Sequence, residues 1–155
     1  MNYVVMIIES VLFAVAMIIG IISLREAQKA RRDTFLPIIV AYENFYCTVE
    51  QCGVWFRNLG HGIALDVEAR LTGVQGLYTQ KCMEPSDKID KYVWTFGLRN
   101  TEIYTKKVNN IIFSIKYKDV FGRQIETSYN VLQEKTPEGT YLPHINWNSQ
   151  KIKLP

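Results

Sequence analysis

The most constraining feature of this sequence is a long apolar stretch near its start, from Tyr3 to Leu24. It contains one ionisable side chain, Glu9. As an α-helix it would be roughly 33 Å long, which is enough to cross the hydrocarbon core of a lipid bilayer. A small globular domain has no need for a helix that is apolar on every face. We therefore interpret residues 3–24 as a membrane-spanning helix that is retained in the protein. The rest of the chain is the part that this helix anchors at the membrane.

A basic neck follows the apolar stretch. The sequence after Leu24 reads REAQKARRD, lacks glycine and proline, and is rich in good helix formers. We expect the helix to continue for two or three turns beyond the membrane, with Pro37 ending any helix there. The first segment of the chain is thus predicted to comprise residues 1–33. Its cations are expected to contact lipid headgroups: Arg25, Lys29, Arg31 and Arg32.

The charges flanking the apolar stretch predict its orientation. Met1 and Asn2 carry no basic side chain, whereas the neck carries four, and lysine and arginine beside a span stay on the cytoplasmic side. We therefore expect a single-pass protein of the cell membrane with its N-terminus outside and its C-terminal domain in the cytoplasm. The odd number of cysteines, Cys47, Cys52 and Cys82, agrees with free thiols in a reducing compartment.

One face of the predicted span carries its small and polar residues. Glu9, Ala16, Gly20 and Ser23 follow one another at intervals of seven, four and three residues, which places them on the same side of a helix. Small residues four apart allow two helices to approach closely, and a carboxyl group in hydrocarbon usually faces a partner or a cavity. This pattern predicts helix association. The alternative is that Glu9 lies near enough to the outer end to reach headgroups, since small residues are common in spans.

The pattern changes to a period of two after Pro37. Residues 65–71 alternate most clearly, with Leu65, Val67, Ala69 and Leu71 on one face. Further strands are predicted at residues 37–42, 51–58 and 92–98. A hairpin is predicted from 111 to 131 around the turn Asp119–Gly122, with Ile111, Phe113, Ile115 and Tyr117 alternating inward and Ile125, Thr127, Tyr129 and Val131 marking the return strand. The fold class is therefore mainly β, with an antiparallel immunoglobulin-like β-sandwich over residues 34–134. Residues 135–155 lose the alternation, and we expect a tail that is either irregular or docked by Tyr141 and Trp147.

Candidate catalytic groups are few. His61 and His144 are the only histidines, and neither lies in a hydrolase or metalloprotease motif. No glycine-rich phosphate-binding loop with its lysine is present, so we expect no enzymatic activity and no cofactor. The net charge of +3 is small and lies mostly in the neck. Because nucleic-acid binders usually carry a stronger basic field, we expect no nucleic-acid partner.

The cysteines allow one further interpretation. Cys47 and Cys52 have C-x4-C spacing, and together with Cys82 and His61 they would supply four metal ligands. The favoured interpretation is that these cysteines are small apolar residues beside a strand connection, with no metal site. If the domain lay outside the cytoplasm, Cys47 and Cys52 would be the natural disulfide.

Three segments resemble a widespread group of small uncharacterised prokaryotic membrane proteins: DTFLPIIVAY, VWFRNLGHGIALDVEARL and IKYKDVFGRQIETSY. The members of that group resemble one another in having one N-terminal span, a basic helical neck and a cytoplasmic immunoglobulin-like sandwich. Its Asn-x-Gly-x-Gly-x-Ala turn and its Tyr-x-Asp-x-Phe-Gly-Arg hairpin match Asn58, Gly60, Gly62, Ala64, Tyr117, Asp119, Phe121, Gly122 and Arg123. The resemblance covers residues 1–132 and implies a structural role for these positions.

Taken together, the sequence predicts a membrane-anchored, non-enzymatic binding or scaffold module that presents its β-sandwich to a protein partner. The expected contact residues lie in two loops and the tail: Asn58, Gly60, His61, Gly62, Asp119, Phe121, Tyr141 and Trp147. The alternative is an oligomeric membrane effector, or a subunit of a transport complex, that acts through its transmembrane helix and pairs with further copies of itself.

Overall fold

The computed structural model describes residues 2–48, 51–73, 77–85, 92–97 and 101–154. The chain forms two compact units, Met1–Phe35 and Leu36–Pro155. The first is the single helix α1, Asn2–Thr34. We call the second the β unit. It is mainly β-structure, as the sequence predicts, in two antiparallel sheets.

Helix α1 is continuous from the apolar stretch through the basic neck, as predicted. Its 33 residues correspond to roughly 50 Å of helix. In the described part of the chain it is the one helix long and apolar enough to cross a membrane. Arg31 and Arg32 lie in its last turn, where cations complement the partial negative charge of the helix end.

Sheet A of the β unit is built around one long central strand. Its members are β1 (Ile39–Ala41), β2 (Tyr46–Cys47), β3 (Gln51–Asn58) and β6 (Tyr92–Gly97). Strands β1 and β2 pair with opposite halves of β3 along one side, and β6 pairs along the other. The strands predicted from Gln51 and from Tyr92 are therefore present, although Leu98 lies outside the described residues.

Sheet B contains six strands in the order β5, β4, β7 and β8, with β9 and β10 both on the outer side of β8. Their bounds are β4 (Ala64–Leu71), β5 (Tyr78–Met83), β7 (Ile111–Lys118), β8 (Gln124–Lys135), β9 (Tyr141–Ile145) and β10 (Lys151–Lys153). A short helix α2 (Glu102–Thr105) precedes β7, and a 3-10 turn (Trp147–Ser149) joins β9 to β10. Sheet B curls into a half-barrel, so the immunoglobulin-like form of the predicted sandwich is not confirmed.

The core lies between the two sheets. The predicted inward faces of β7 and β8 are confirmed, since all eight side chains are nearly inaccessible to solvent: Ile111, Phe113, Ile115, Tyr117, Ile125, Thr127, Tyr129 and Val131. Phe113 packs edge-on against Phe45, with ring centroids 5.8 Å apart, and Phe56 of β3 packs in the same way against Tyr78 of β5 at 5.4 Å. Burial of such rings supplies most of the driving force for closing the two sheets.

Strand β4 departs from its predicted alternation. Val67, Ala69 and Leu71 are buried as expected, but the fourth buried position is Ala64 rather than Leu65. The reason is a β-bulge: the pairing with β7 shifts between Leu65 and Glu68, and Asp66 adopts a φ of +49°. A bulge inserts one extra residue and so reverses the inward and outward faces on one side of it.

The prediction of an irregular tail is wrong. Residues 141–145 and 151–153 form β9 and β10, and these pair with the second and first halves of β8. Both strands are short, and Pro143 lies within β9, so the tail lacks the long alternating pattern that identifies strands in sequence. Tyr141 and Trp147 were expected to dock this tail, and the Trp147 ring does contact Tyr129 edge-on at 6.0 Å.

Candidate functional site

The loop between β3 and β4 is organised by the buried side chain of Asn58. Its Oδ1 accepts hydrogen bonds from the backbone N–H groups of Ile38 and Gly60, both at 3.0 Å. Its Nδ2 donates to the carbonyl oxygens of Gly62 at 2.7 Å and Met83 at 3.3 Å. One amide side chain thus joins the segment that precedes β1, the β3–β4 loop and the end of β5. Asn58 is therefore a structural residue that is inaccessible to a partner.

Gly60 is required by close backbone packing. A Cβ atom at this position would lie 2.2 Å from the carbonyl oxygen of Leu36 and 2.4 Å from the backbone nitrogen of Ile38. Gly62 is also buried, whereas His61 between the two glycines is exposed. Of the four residues predicted as partner contacts in this loop, only His61 presents its side chain to solvent.

The turn between β7 and β8 is fixed by Asp119, whose side chain is fully buried. Its carboxylate accepts hydrogen bonds from the backbone N–H groups of Phe121 at 2.9 Å and Arg123 at 2.8 Å, and from the Arg123 Nε at 2.6 Å. Burial by itself raises the pKa of Asp119, but the hydrogen bonds and the charge of Arg123 outweigh it and hold that pKa below its usual value. Gly122 has a φ of +79°, which the tight turn requires.

Both loops lie at the same end of the β unit. Leu59 donates its N–H to the carbonyl of Ile38 at 2.7 Å, so the β3–β4 loop lies beside the point where the chain enters. Leu65 is opposite Lys118 in the β4–β7 pairing, so the β7–β8 turn emerges at that end as well. We call the end formed by residues 36–38, 58–62 and 119–123 the tethered end.

The other predicted contact residues lie elsewhere. Tyr141 is opposite Lys135 in the β8–β9 pairing, at the far end of β8 from the turn, and Trp147 is half-exposed in the 3-10 turn. The eight predicted residues therefore do not form one surface. Asn58, Gly60, Gly62 and Asp119 are buried, and His61 and Phe121 share the tethered end.

Two of the three cysteines differ from their prediction as free thiols. Cys47 and Cys52 are directly opposite in the β2–β3 hairpin and are joined by a disulfide, while Cys82 is free and exposed on β5. The register of a tight hairpin alone places the two sulfur atoms together. Within the described residues there is no group of three or more histidine, cysteine and acidic side chains suited to a metal ion.

The predicted association face of α1 is open. A Cβ atom added to Gly20 would meet nothing within 4 Å, and the residues around it are exposed along the whole apolar stretch. The pairing of two copies of α1 is untested, so the association face with Glu9, Ala16, Gly20 and Ser23 stays a prediction.

A groove on the polar face of sheet B was not predicted from the sequence. It has a volume of about 870 Å³ and crosses the sheet from β5 to the segment after β10. Its charged and amide side chains come from five strands: Asp66, Glu68, Gln80, Lys81, Lys116, Lys118, Gln124, Glu126 and Lys153. In the sequence, the outward positions of these strands have the pattern of an ordinary solvent-exposed face. Only the curl of the sheet makes that face concave.

The charged side chains on the floor of the groove form ion pairs between neighbouring strands. Lys118 Nζ lies 3.0 Å from Asp66 Oδ2, and Lys116 Nζ lies 3.8 Å from Glu126 Oε1. The bulge at Asp66 brings its carboxylate within reach of Lys118. Lys81 and Lys153, at the two rims, make no ion pair with any residue that the structure describes. The groove therefore has a charge-balanced floor and basic rims.

Comparison of the sequence with models of known protein families identifies the family of this chain. The model of a domain of unknown function, DUF8453, matches residues 4–135. The chain belongs to the DUF8453 family. The match includes the apolar helix and the β unit up to Lys135, the last residue of β8, and leaves β9 and β10 outside it. No curated protein and no solved structure matches the chain.

Proposed function

We propose that this DUF8453 protein is a single-pass membrane protein whose β unit binds a protein partner and carries out no catalysis. Helix α1 supplies the anchor, and the groove of sheet B supplies the contact surface. The observation that carries the proposal is the layout of charge in the groove. Its floor lysines have acidic partners, and its rim lysines, Lys81 and Lys153, are available for carboxylates of a ligand.

The shape of the groove favours a polypeptide segment over a small molecule. Small-molecule sites enclose most of their ligand and carry only a few polar groups, whereas this groove crosses the sheet and nine of its fourteen lining residues have charged or amide side chains. An extended segment that carries acidic residues would place carboxylates near both rims and backbone groups near Gln124. Contacts of this kind give specificity and fast association more than affinity.

The rim lysines provide the test of this proposal. A photoreactive amino acid at Thr79 in the groove is expected to form one discrete protein adduct in native membranes. Reversing both rim charges, Lys81→Glu with Lys153→Glu, should lower the yield of that adduct by about tenfold or more, since each reversed contact costs roughly 1 kcal/mol. The yield should also fall as the salt concentration rises.

Lys135→Glu is the matched control, because Lys135 is exposed at the far end of β8, outside the groove. It changes the net charge in the same direction and should leave the adduct intact. An adduct that survives the double reversal, or that is lost equally in the control, would contradict a protein site in the groove.

We also propose that the β unit lies on the cytoplasmic side of the membrane. The support is the cluster of cations in the neck, because lysine and arginine beside a span stay on the cytoplasmic side. The Cys47–Cys52 pair does not argue against this side, because the hairpin register places the two residues opposite each other in any compartment. In a reducing cytoplasm the same pair would be held as thiols.

Cys82 and the hairpin pair together test the orientation. In intact cells, an impermeant maleimide should leave Cys82 unmodified, and a permeant one should modify it. Alkylation of rapidly quenched cells should also add mass to both Cys47 and Cys52. Modification of Cys82 by the impermeant reagent, together with an oxidised hairpin pair, would place the β unit outside.

A further inference from the structure

The polar face of sheet B carries its charges in two rows that run across the strands. In the first row, cross-strand pairs join β5, β4, β7, β8 and β10 in a line: Thr79, Glu68, Lys116, Glu126 and Lys153. The second row lies two residues further along β5 and joins β5, β4, β7 and β8: Lys81, Asp66, Lys118 and Gln124. Charges of opposite sign alternate along both rows, and each row has one of the two rim lysines at its end.

The carboxylates of the two rows already have partners. Asp66 pairs with Lys118 at 3.0 Å and Glu126 with Lys116 at 3.8 Å. Glu68 lies 3.5 Å from Arg70 on its own strand. Each carboxylate of the groove is thus matched by a cation other than a rim lysine. Lys81 and Lys153 are therefore the positions at which a carboxylate of a ligand gains a contact without displacing one.

The two rim lysines are separated by the width of the sheet. Four strand-to-strand steps of about 4.8 Å lead from β5 to β10, and the two rows are offset by about 7 Å along the strands. The path from Lys81 to Lys153 over this face is therefore roughly 20 Å, and the curl of the sheet shortens it. Because an extended polypeptide advances about 3.3 Å per residue, two carboxylates about five or six residues apart would reach both lysines.

The backbone at the β5 rim offers little to a ligand. The Gln80 Nε2 donates to the carbonyl oxygen of Cys82 at 2.9 Å, and the Tyr78 hydroxyl donates to Gln80 Oε1. This amide is engaged at both ends and covers part of the β5 backbone. A ligand that added a strand to the sheet would also run along the strands, whereas the groove runs across them. Recognition in the groove therefore depends on side chains.

We infer that the groove recognises an extended polypeptide segment that crosses the strands and carries two acidic side chains about five or six residues apart, one for Lys81 and one for Lys153. This inference rests on the proposed protein site in the groove and specifies the sequence pattern that the site selects. Two carboxylates that are close together engage only one rim at a time. The spacing gives specificity as in two linked binding sites, where the second contact forms only if the connection spans the gap.

Selection from a random peptide library tests this pattern on the full-length protein in nanodiscs of zwitterionic lipid. Peptides enriched on the wild type should carry two acidic positions about five or six residues apart. The variant Lys81→Gln with Lys153→Gln should enrich peptides without that spacing. Lys135→Gln is the matched control, since Lys135 is exposed at the far end of β8, and it should enrich the same pattern as the wild type.

Moving one acidic side chain within an enriched peptide gives the quantitative measurement. A peptide with its two carboxylates next to each other keeps the charge and the composition, and fluorescence anisotropy measures its dissociation constant. It should bind the wild type about fivefold more weakly, which corresponds to the loss of one ion pair. The two peptides should bind Lys81→Gln equally, because that variant has one rim lysine left for either peptide.

The wild type provides the results that would overturn this inference. These are equal affinity for the two peptides, enrichment of peptides without the spacing, or enrichment of none. If the adduct at Thr79 in native membranes still depends on Lys81 and Lys153, the proposed protein site stands and only the spacing is wrong. If the adduct does not depend on these lysines, the proposed function fails as well.

Discussion

Replacing Asn58 by alanine is expected to destabilise the β unit by about 4 kcal/mol. The side chain makes four hydrogen bonds in a buried site, to Ile38, Gly60, Gly62 and Met83. Alanine would leave two N–H groups and two carbonyl oxygens without these partners, and each buried unsatisfied group costs roughly 1–3 kcal/mol. Denaturation of the full-length protein in nanodiscs, followed by near-UV circular dichroism, measures the change.

Asn130→Ala is the control for this prediction, since Asn130 is an exposed asparagine within strand β8 of sheet B. Its effect should stay within about 0.5 kcal/mol. A loss below about 1 kcal/mol in Asn58→Ala would mean that water replaces the amide, and that the loop is not held by this side chain.

The second large effect is expected from the two buried tyrosine hydroxyls that join the sheets. Tyr117 Oη accepts from the Ile39 N–H at 3.1 Å, and Tyr129 Oη accepts from the Ala41 N–H at 3.0 Å. These donors belong to β1, on the side that faces away from β3. The combined variant Tyr117→Phe with Tyr129→Phe should lose about 3 kcal/mol, because two buried N–H groups lose their acceptors.

Alkaline pH provides an independent measurement of the same contacts. Burial raises the pKa of Tyr117 above its usual value and raises the pKa of Tyr129 to about 12. The neutral hydroxyl is the form that the folded state favours, so its contribution is complete below pH 10 and is lost as the pH rises from about 10 towards 12. The stability difference between the wild type and the double variant should therefore shrink over that range.

Tyr141→Phe serves as the control, because Tyr141 is half-buried at the start of β9 and its hydroxyl makes no described hydrogen bond. It should change neither the stability at neutral pH nor its alkaline dependence. If the double variant loses alkaline stability as steeply as the wild type, other groups govern the alkaline transition and the two hydroxyls do not hold β1.

Much of the architecture follows from patterns that act over short distances. The all-apolar stretch predicts α1, and strict alternation predicts the core faces of β7 and β8, because one buried face fixes every second side chain. The turn at Asp119 and Gly122 was predicted from residue types that favour tight turns. In each case the signal lies within a few residues of the structure that it specifies.

The errors arise where neighbours distant in sequence decide the outcome. The bulge at Asp66 exchanges Leu65 for Ala64 in the core, and it depends on the pairing of β4 with β7 some 50 residues later. Strands β9 and β10 form because they pair with the free edge of β8. Their own sequences are too short and irregular to predict strands. Asn58 and Asp119 were predicted to be contact residues because a polar residue in a loop is expected to be exposed. Only the three-dimensional structure shows the buried groups that they bind.

The groove of sheet B could not be predicted for a related reason. Its residues alternate outward along β4, β7 and β8, which is the pattern of any solvated face. Whether such a face is flat, convex or concave depends on the twist and bulges accumulated over the whole sheet. The lysines of the rim come from β5 and β10, two strands that sequence patterns do not identify.

The position of β9 and β10 has a consequence for the behaviour of the protein at high concentration. Strand β8 is twelve residues long, and without these two strands its outer side would present unpaired N–H and C=O groups along its length. At high concentration, an open strand of this length invites a neighbouring chain to extend the sheet. Strands β9 and β10 therefore act as a built-in guard against strand-to-strand aggregation, and both lie beyond the family match.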